Sequence, residues 1–283
     1  MTRPRFGVCA WIFGGAPLEE TLGRIAAAGY EGVEIPGEPG AYSPPEVRRL
    51  LSRHGLAPLA LTASCTVPET RRDLAHPDPA IRDEAVRYVV GCLRLAAEIG
   101  APLVQMLPSG ETRLSPIASR SEEWSWSVEG MGRAAREAER LGVRICIEPL
   151  NRYEAYLVTS AEDGLAYLAA VGSPWVGLTL DLFHAGIEEP ELAKSIAAAG
   201  RRLWHLHAAD TNRQALGRGH LDLAAVTRAL RDTGYAGSVV LEVMPPGPNP
   251  FRSIKNAESP QILDAYLRES LGLLRQQWPG RSA

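Results

Sequence analysis

Residues 144–154 have the sequence RICIEPLNRYE, in which a short apolar run meets a carboxylate and a proline. The first four residues are mostly apolar and include β-branched isoleucine, so they predict a buried strand. Glu148 follows directly, and Pro149 stops further ladder pairing because proline has no backbone N–H. A buried carboxylate costs free energy unless a cation or hydrogen-bond donors meet it. Glu148 is therefore the first candidate for a metal or catalytic site.

Strand patterns of this kind alternate with helical patterns along the whole chain. Working outward from 144–147, the sequence predicts strands at 6–11, 32–35, 56–62, 103–107, 175–180, 202–206 and 239–241. Amphipathic helical patterns separate them, and Ser43 and Glu46 predict a capping box at the start of one helix. Eight strand–helix units in 283 residues predict an α/β fold, a single (β/α)₈ TIM barrel with one domain, 1–283.

A doubly wound open sheet is the alternative fold. Such sheets usually have fewer strand–helix units, and a glycine-rich dinucleotide turn after the first strand would favour one. Gly14 and Gly15 follow the first predicted strand, but they do not form the G-x-G-x-x-G pattern. The barrel is therefore the preferred prediction.

The composition indicates a globular protein of ordinary type. Hydrophobic residues make up 45% of the chain and charged residues 22%, which argues against a disordered protein. The net charge of −3 and the absence of a basic stripe argue against nucleic acid as the main partner. No apolar run approaches the roughly 18 residues of a membrane-spanning helix, and no signal-type stretch follows Met1, so we expect a cytoplasmic protein without a membrane partner.

The cysteines give no sign of a disulfide framework or a metal-binding pair. The four are Cys9, Cys65, Cys92 and Cys146, and none forms a C-x-x-C pattern. Three lie in or at the end of predicted strands and one in a helical pattern. Since free cysteine behaves as a small buried hydrophobe, we expect all four to be reduced and buried.

Metal-ligand residue types occur at the carboxyl ends of four successive predicted strands. Glu148 ends the fifth strand, Asp181 the sixth, His207 the seventh and Glu242 the eighth. A closed barrel brings the carboxyl ends of its strands to one rim, where barrel enzymes keep their active sites. Three carboxylates would repel one another there unless a divalent cation lay between them. Three oxygen ligands and one nitrogen favour octahedral Mn²⁺, Mg²⁺ or Co²⁺ over tetrahedral Zn²⁺.

Each of these residues alone has an ordinary structural explanation. An acid after a strand is commonly a helix N-cap or a solvated loop residue, and a single histidine in a strand is commonly a hydrogen-bonded core residue. The recurrence of such residues at equivalent places in four successive units is what favours a metal site.

Four segments resemble the xylose-isomerase-like barrel superfamily, and within it most resemble the ketose 3-epimerases of the D-tagatose/D-psicose group. They are IEPLNRYE, LTLDLFHAGIEE, HLHAADTNRQALGRGHLD and VVLEVM, all in the second half of the chain. The resemblance implies one divalent ion, Mn²⁺ in the first place with Co²⁺ or Mg²⁺ as alternatives, and ligands Glu148, Asp181, His207 and Glu242. It also implies a small-molecule sugar substrate bound by Glu154, His184 and Arg213.

The resemblance further implies the reaction. Inversion at C3 of a ketose requires removal of the proton beside the C2 carbonyl and return of a proton to the opposite face, through a metal-stabilised enediolate. Glu148 and Glu242 are the implied pair of catalytic bases. The chain lacks an evident phosphate-binding glycine run after strands seven and eight, which favours an unphosphorylated sugar. Relatives of this kind are commonly homodimers or homotetramers, and we expect the same here.

Further candidate residues lie outside this set. Trp11, Glu34, Cys65, Trp124 and Trp126 are candidates for the far end of the sugar pocket, although a single tryptophan is more often a packing residue. Trp124 and Trp126 are placed in a long loop. His205, two residues before His207, is predicted to face away from the metal in a structural role. Instead of binding sugar, Glu154 could form a salt bridge within its loop, and Arg213 could be a solvated surface charge.

Three other functions remain open. An aldose–ketose or hydroxypyruvate-type isomerase would use the same metal and acid pair to move a proton between C1 and C2. An abasic-site endonuclease shares this barrel but needs several metals, more histidine ligands and a basic face. A non-catalytic sugar-binding barrel would have no use for two acids. The NRYE sequence after Glu148 favours the epimerase.

Overall fold

The computed structural model describes residues 3–65, 71–249 and 251–278, and its centre is a closed parallel barrel of eight strands. Each strand pairs with the next along the chain, and the first pairs with the eighth, so the sheet has no open edge. The strands are β1 (Arg5–Cys9), β2 (Gly32–Pro36), β3 (Ala57–Thr62), β4 (Leu103–Met106), β5 (Arg144–Ile147), β6 (Val176–Asp181), β7 (Leu203–Ala208) and β8 (Ser238–Leu241). The predicted (β/α)₈ barrel is confirmed. The domain bounds 1–283 stay a prediction.

Helices follow the strands in the order that a (β/α)₈ barrel requires. They are α1 (Leu18–Ala27), α2 (Pro44–His54), α3 (Pro79–Ile99), α4 (Arg120–Leu141), α5 (Ala161–Val171), α6 (Leu182–Glu188), α7 (Leu192–Ala199), α8 (Leu223–Asp232) and α9 (Ser259–Gln277). A short 3₁₀ helix, Ala10–Phe13, follows β1. None of the described helices is both long and apolar enough to cross a bilayer.

Several helix ends follow from local sequence chemistry. The hydroxyl of Ser119 accepts the backbone N–H of Glu122, and the carboxylate of Glu122 accepts the N–H of Ser119, which forms a capping box for α4. Asp222 caps α8 through the backbone N–H of Ala225. The capping box predicted at Ser43 is wrong, because the Ser43 side chain makes no cap hydrogen bond. Proline in the first turn of α2 leaves fewer free N–H groups to be capped.

The tryptophans that were expected in a loop lie in a helix. Trp124 and Trp126 belong to the first turns of α4. The ring of Trp124 meets the ring of Tyr167 edge-on, with centroids 5.3 Å apart, and the guanidinium of Arg82 stacks over Trp126. The helix begins at Arg120, where Ser119 caps it, and it therefore includes both tryptophans.

Polar side chains at interior positions of the barrel mark its functional end. Apolar residues of the strands and helices form one large buried cluster. Glu34, Gln105, Asp181, His205 and His207 are nevertheless at most 1% exposed. Barrel interiors are mostly filled by branched apolar side chains, and buried polar groups need partners. This concentration of buried polar groups is therefore the place to look for chemistry.

Candidate active site

The structure brings the four strand-end residues together. Glu148, Asp181, His207 and Glu242 each place one oxygen or nitrogen within 4.8 Å of those of the other three, and all four are buried. We call these four residues the ligand ring. They come from the carboxyl ends of β5, β6, β7 and β8, since parallel strands of a closed barrel end at the same rim.

His207 lies at the centre of the ligand ring. Its Nδ1 atom is 2.9 Å from Oε1 of Glu148 and 3.0 Å from Oε2 of Glu242. Oδ2 of Asp181 is 3.9 Å from the same nitrogen. The three carboxylates therefore converge on one point beside a single ring nitrogen.

Arg213 is the cation that partly balances these carboxylates. Its Nη1 donates to Oδ2 of Asp181, and its Nη2 lies 2.8 Å from Oε2 of Glu242. Three carboxylates and one guanidinium leave an excess of two negative charges if His207 is neutral. This excess is the charge of one divalent cation.

The pKa values show how strongly these groups interact. Burial raises the pKa of Glu148 to about 8, although the neighbouring His207 opposes that rise. Burial alone would lower the pKa of His207, but the carboxylates of Glu242, Glu34 and Glu148 raise it well above its usual range. Burial would raise the pKa of Asp181, but the Arg213 guanidinium together with His184 and His207 holds that pKa below its usual range.

The donor set fits a divalent cation. It offers carboxylate oxygens and one imidazole nitrogen, which are the ligands that Mn²⁺, Mg²⁺ and Co²⁺ accept. Without such an ion the buried carboxylates are balanced by Arg213 and by protons, since the pKa values of His207 and Glu148 are raised, and a cation could take the place of those protons. The residues present could therefore hold a metal ion.

A second layer of polar side chains lies against the ligand ring. Oε1 of Glu34 is 3.0 Å from Nε2 of His207, and Oε2 is 2.5 Å from Nε2 of His205. Thr62 donates to Oε1 of Glu34, and Cys9 Sγ lies 3.4 Å from the same oxygen. Glu34 therefore holds the nitrogen of His207 that faces away from the other carboxylates.

Two expectations about this layer are wrong. His205 does not face away from His207, because residues two apart on a strand point to the same side, and their ring centroids are 5.1 Å apart. Glu34 does not shape the far end of the sugar pocket, since it is 1% exposed and lies beneath His207. Glu34 and His205 form a buried pair that lies behind His207.

A cavity of about 620 Å³ opens onto the ligand ring. Glu148 and Glu242 line it, as do the three predicted sugar-binding residues, Glu154, His184 and Arg213. Trp11 and Cys65 also line it, as expected of pocket candidates, whereas Trp124 and Trp126 do not. The cavity is thus bordered by the carboxylates on one side and by hydrogen-bonding side chains on another.

Comparison with known proteins identifies the family. The family model described as xylose isomerase-like TIM barrel matches residues 22–275. The chain belongs to this family. It is 32% identical to the D-psicose 3-epimerase of Ruminiclostridium cellulolyticum over 89% of each chain. It is 31% identical to an L-ribulose 3-epimerase of a Methylomonas species, over 95% of this chain and 87% of that one.

A solved structure of the same family has the same fold. The D-psicose 3-epimerase of Clostridium cellulolyticum H10, crystallised with D-tagatose, superimposes with a TM-score of 0.87 and 27% identity, over 96% of this chain and 98% of that one. The relatives are named as ketose 3-epimerases, which are isomerases. The resemblance drawn from the four sequence segments is therefore confirmed, and the chain is an enzyme of the isomerase class.

In this member of the xylose isomerase-like family, Asn151 joins two of the cavity residues. Its Nδ2 lies 2.7 Å from Nδ1 of His184 and 3.0 Å from Oε1 of Glu154. Burial lowers the pKa of His184 to about 3, so its ring is neutral, and a donor at Nδ1 leaves the proton on Nε2. Burial raises the pKa of Glu154. Sequence reasoning missed Asn151, although it belongs to the NRYE segment.

The loop after β7 places Arg213 at the cavity. Arg213 has a positive φ of 62°, which is uncommon for a residue other than glycine. The side chain of Asp210 accepts hydrogen bonds from the backbone N–H groups of Thr211, Gly217 and Leu221. The backbone carbonyl of Asp210 accepts the N–H of Arg213. Asp210 therefore fixes the loop from which the guanidinium reaches the ligand ring. The sequence analysis did not single out Asp210.

Proposed function

We propose that the protein is a metal-dependent epimerase that inverts C3 of a free ketose of the D-tagatose, D-psicose, D-fructose or L-ribulose type. The observation that carries the proposal is the meeting of two carboxylates, Glu148 and Glu242, at one ring nitrogen on the wall of the cavity. Inversion needs two proton-transferring groups at one carbon, and the relatives named as ketose 3-epimerases support this reaction.

The ligand ring would hold one divalent ion through Glu148, Asp181, His207 and Glu242. We propose Mn²⁺ in the first place, with Co²⁺ or Mg²⁺ as alternatives, since oxygen-rich sites accept several divalent ions. When bound, the ion would supply Lewis-acid stabilisation of the negative charge that develops on the substrate oxygens.

Glu148 and Glu242 would exchange protons with the substrate. Glu148 takes the proton from C3, and the electron pair of the broken C–H bond moves toward the C2 carbonyl. Glu242, protonated at the start, then gives its proton to the opposite face of C3 and becomes a carboxylate while the carbonyl forms again; exchange with solvent afterwards removes the proton from Glu148 and restores the one on Glu242. In the reverse reaction, Glu242 takes the proton from C3 and Glu148 returns one. Glu148 lies on the cavity wall, where its carboxylate can take up a proton from the substrate.

The other cavity residues would bind and orient the sugar. Neutral His184 presents an Nε2–H donor, Arg213 a guanidinium, and Glu154 a carboxylate acceptor. We propose that His184 and Arg213 hold the oxygens near C1 and C2, and that Glu154 orients a hydroxyl or His184. Trp11 and Arg213 both donate to Glu242, at 2.6 and 2.8 Å, and so fix the carboxylate that returns the proton.

A substrate panel tests the proposal. The metal-loaded protein is incubated separately with D-fructose, D-tagatose and L-ribulose, in D₂O as well as in H₂O, and the sugars are separated by chromatography. New ketoses with deuterium at C3 are expected. New aldoses would favour the aldose–ketose or hydroxypyruvate-type isomerase instead, and binding without any product would favour a sugar-binding protein. A cytoplasmic location and a homodimer or homotetramer stay predictions.

A further inference from the structure

The cavity that opens onto the ligand ring is larger than a single sugar needs. Its volume is about 620 Å³. If each non-hydrogen atom of a ketohexose took the roughly 30 Å³ that a water molecule takes in the liquid, the sugar would fill roughly 360 Å³. Covalently bonded atoms pack more closely than water molecules do. A large part of the cavity is therefore left over when one ketohexose lies at the ligand ring.

The groups proposed to react lie at the buried end of this cavity. Glu148 and Glu242 line it and are each 5% exposed. Other lining residues are exposed, among them Pro246, Gly247 and Phe251 in the segment between β8 and α9. The cavity therefore has a buried end at the carboxylates and an open end at this segment. A ketose with its C3 between Glu148 and Glu242 leaves the open end to a further group.

Phe251 presents an aromatic side chain at the open end. It is 47% exposed, and of the five large apolar side chains that the described residues expose, it alone lines the cavity. Its backbone N–H donates to Oδ1 of Asn249 at 3.0 Å, and Nζ of Lys255 donates to the carbonyls of Pro248 and Asn249. The segment that carries Phe251 is thus tied together by its own hydrogen bonds. Exposed apolar surface on a cavity wall is typical of a ligand-binding groove.

The surroundings of Phe251 have the mixed character that a sugar ring needs. Met244, Pro245 and Pro246 extend the apolar lining on the same segment. Lys255 also lines the cavity, and an ammonium group has three N–H donors, of which two carbonyls take two. A pyranose ring has a face of C–H groups and a rim of hydroxyls. The negative face of an aromatic ring attracts C–H groups, and an ammonium donor can bind a hydroxyl.

We propose that the substrate is a ketose that carries a second sugar ring on its C6 hydroxyl, and that Phe251 stacks against this second ring. The inference rests on the proposed function and names its substrate class as a ketose disaccharide. C6 is the carbon furthest from C3 along the chain, so a group attached there reaches furthest from the buried end. The opposite end of the sugar, C1, is the end proposed to be held by buried His184 and by Arg213.

The first part of the test compares three ketoses with the metal-loaded wild type. They are D-fructose and two disaccharides that differ only in linkage, 6-O-α-D-glucosyl-D-fructose and 1-O-α-D-glucosyl-D-fructose. Inversion at C3 is followed by NMR. We expect kcat/KM for the 6-O disaccharide to exceed that for D-fructose about tenfold, because contacts remote from C3 contribute to transition-state binding. We expect the 1-O isomer to react more slowly than the 6-O isomer by at least about tenfold.

The second part uses the variant Phe251→Ala. We expect it to lower kcat/KM for the 6-O disaccharide about fivefold more than for D-fructose, because only the disaccharide has a ring for Phe251 to contact. Tyr153→Ala is the matched control, since Tyr153 is also an exposed aromatic residue, 70% exposed, but does not line the cavity. This control should leave kcat/KM for both sugars as in the wild type.

Three results would overturn the inference. They are epimerisation of D-fructose without turnover of the 6-O disaccharide, a preference for the 1-O isomer, and an equal loss for both sugars in Phe251→Ala. If none of the three ketoses reacts, the proposed function fails instead. The dissociation constants of D-fructose and the 6-O disaccharide, measured by calorimetry on the wild type and Phe251→Ala, then decide the question. Equal constants for the two sugars in the wild type would overturn the inference there as well.

Discussion

The two halves of the barrel contribute to the site in different ways. Strands β5 to β8 each end in one member of the ligand ring. The first half supplies side chains that hydrogen-bond to that ring, which we call the supporting set: Trp11 on Glu242, Glu34 on His207 and Gln105 on Glu148. One half carries the groups that would bind and react, and the other fixes their orientation. Such outer contacts decide how well a metal site is formed.

Removal of divalent ions is expected to have the largest effect. If the ligand ring needs a cation, dialysis against a chelator should lower epimerase activity by at least about 10³-fold, since the ion would stabilise the developing charge. Addition of Mn²⁺, Co²⁺ or Mg²⁺ should restore it. Activity and metal content are measured in parallel on the same samples. Full activity in metal-free protein would contradict the proposal that the ligand ring, at the ends of β5 to β8, binds a metal ion.

Within the ligand ring, Glu148→Gln should lower kcat by about 10²–10⁴-fold, because a glutamine side chain cannot accept the proton. Steady-state kinetics on D-tagatose measure the loss. Glu154→Gln serves as the comparison, since this residue also lines the cavity but is held by Asn151. There we expect KM to change more than kcat. Equal effects of the two variants on kcat would argue against a special role for Glu148.

In the supporting set, Glu34→Gln should weaken metal binding by about 10–100-fold while kcat at saturating metal changes only a few-fold. The reason is that Glu34 holds Nε2 of His207, and so orients Nδ1 toward the ring. Competition with a metal indicator gives the affinity. Glu31→Gln is the matched control, because Glu31 precedes the same strand but pairs with exposed Arg3. Unchanged metal affinity in Glu34→Gln would remove Glu34 from the supporting set.

The smallest effect is expected for Trp11→Phe, which removes one donor to Glu242 but keeps an aromatic ring on the cavity wall. The value of kcat/KM should fall about tenfold, since a hydrogen bond to a charged group is worth about 1.5–3 kcal/mol and Arg213 still holds Glu242. Trp126→Phe, which lies outside the cavity, should leave kcat/KM unchanged. A similar loss in both variants would show that tryptophan packing, rather than the hydrogen bond, matters.

The comparison between halves also explains how much could be predicted from the sequence. The barrel follows from the alternation of strand and helix patterns, and the structure confirms it. The ligand ring could be named because residue types that bind metals recur at the same position, the carboxyl end of the strand, in β5, β6, β7 and β8. The metal-binding and catalytic roles of these residues stay predictions, although their side chains do meet.

No comparable sequence pattern identifies the residues of the supporting set. A glutamine in β4 or a tryptophan after β1 is ordinary in a single sequence, and only coordinates show that Gln105 and Trp11 reach carboxylates from strands far along the chain. His205 was placed on the wrong side because the two-residue period of a strand was misapplied. The short helix α6 begins at Leu182 because the side chain of Asp181 accepts the backbone N–H groups of Phe183 and His184.

The left-handed backbone at Arg213 has a consequence for anyone who redesigns the sugar pocket. Asparagine adopts such a conformation more readily than most residues, so Arg213→Asn would delete the cation yet spare the loop that Asp210 ties together. Valine or isoleucine would strain the main chain at this position. Because the carbonyl of residue 213 accepts the N–H of Met244, the strain would reach the segment that carries Glu242. Libraries at this position should therefore be chosen by backbone preference before side-chain chemistry.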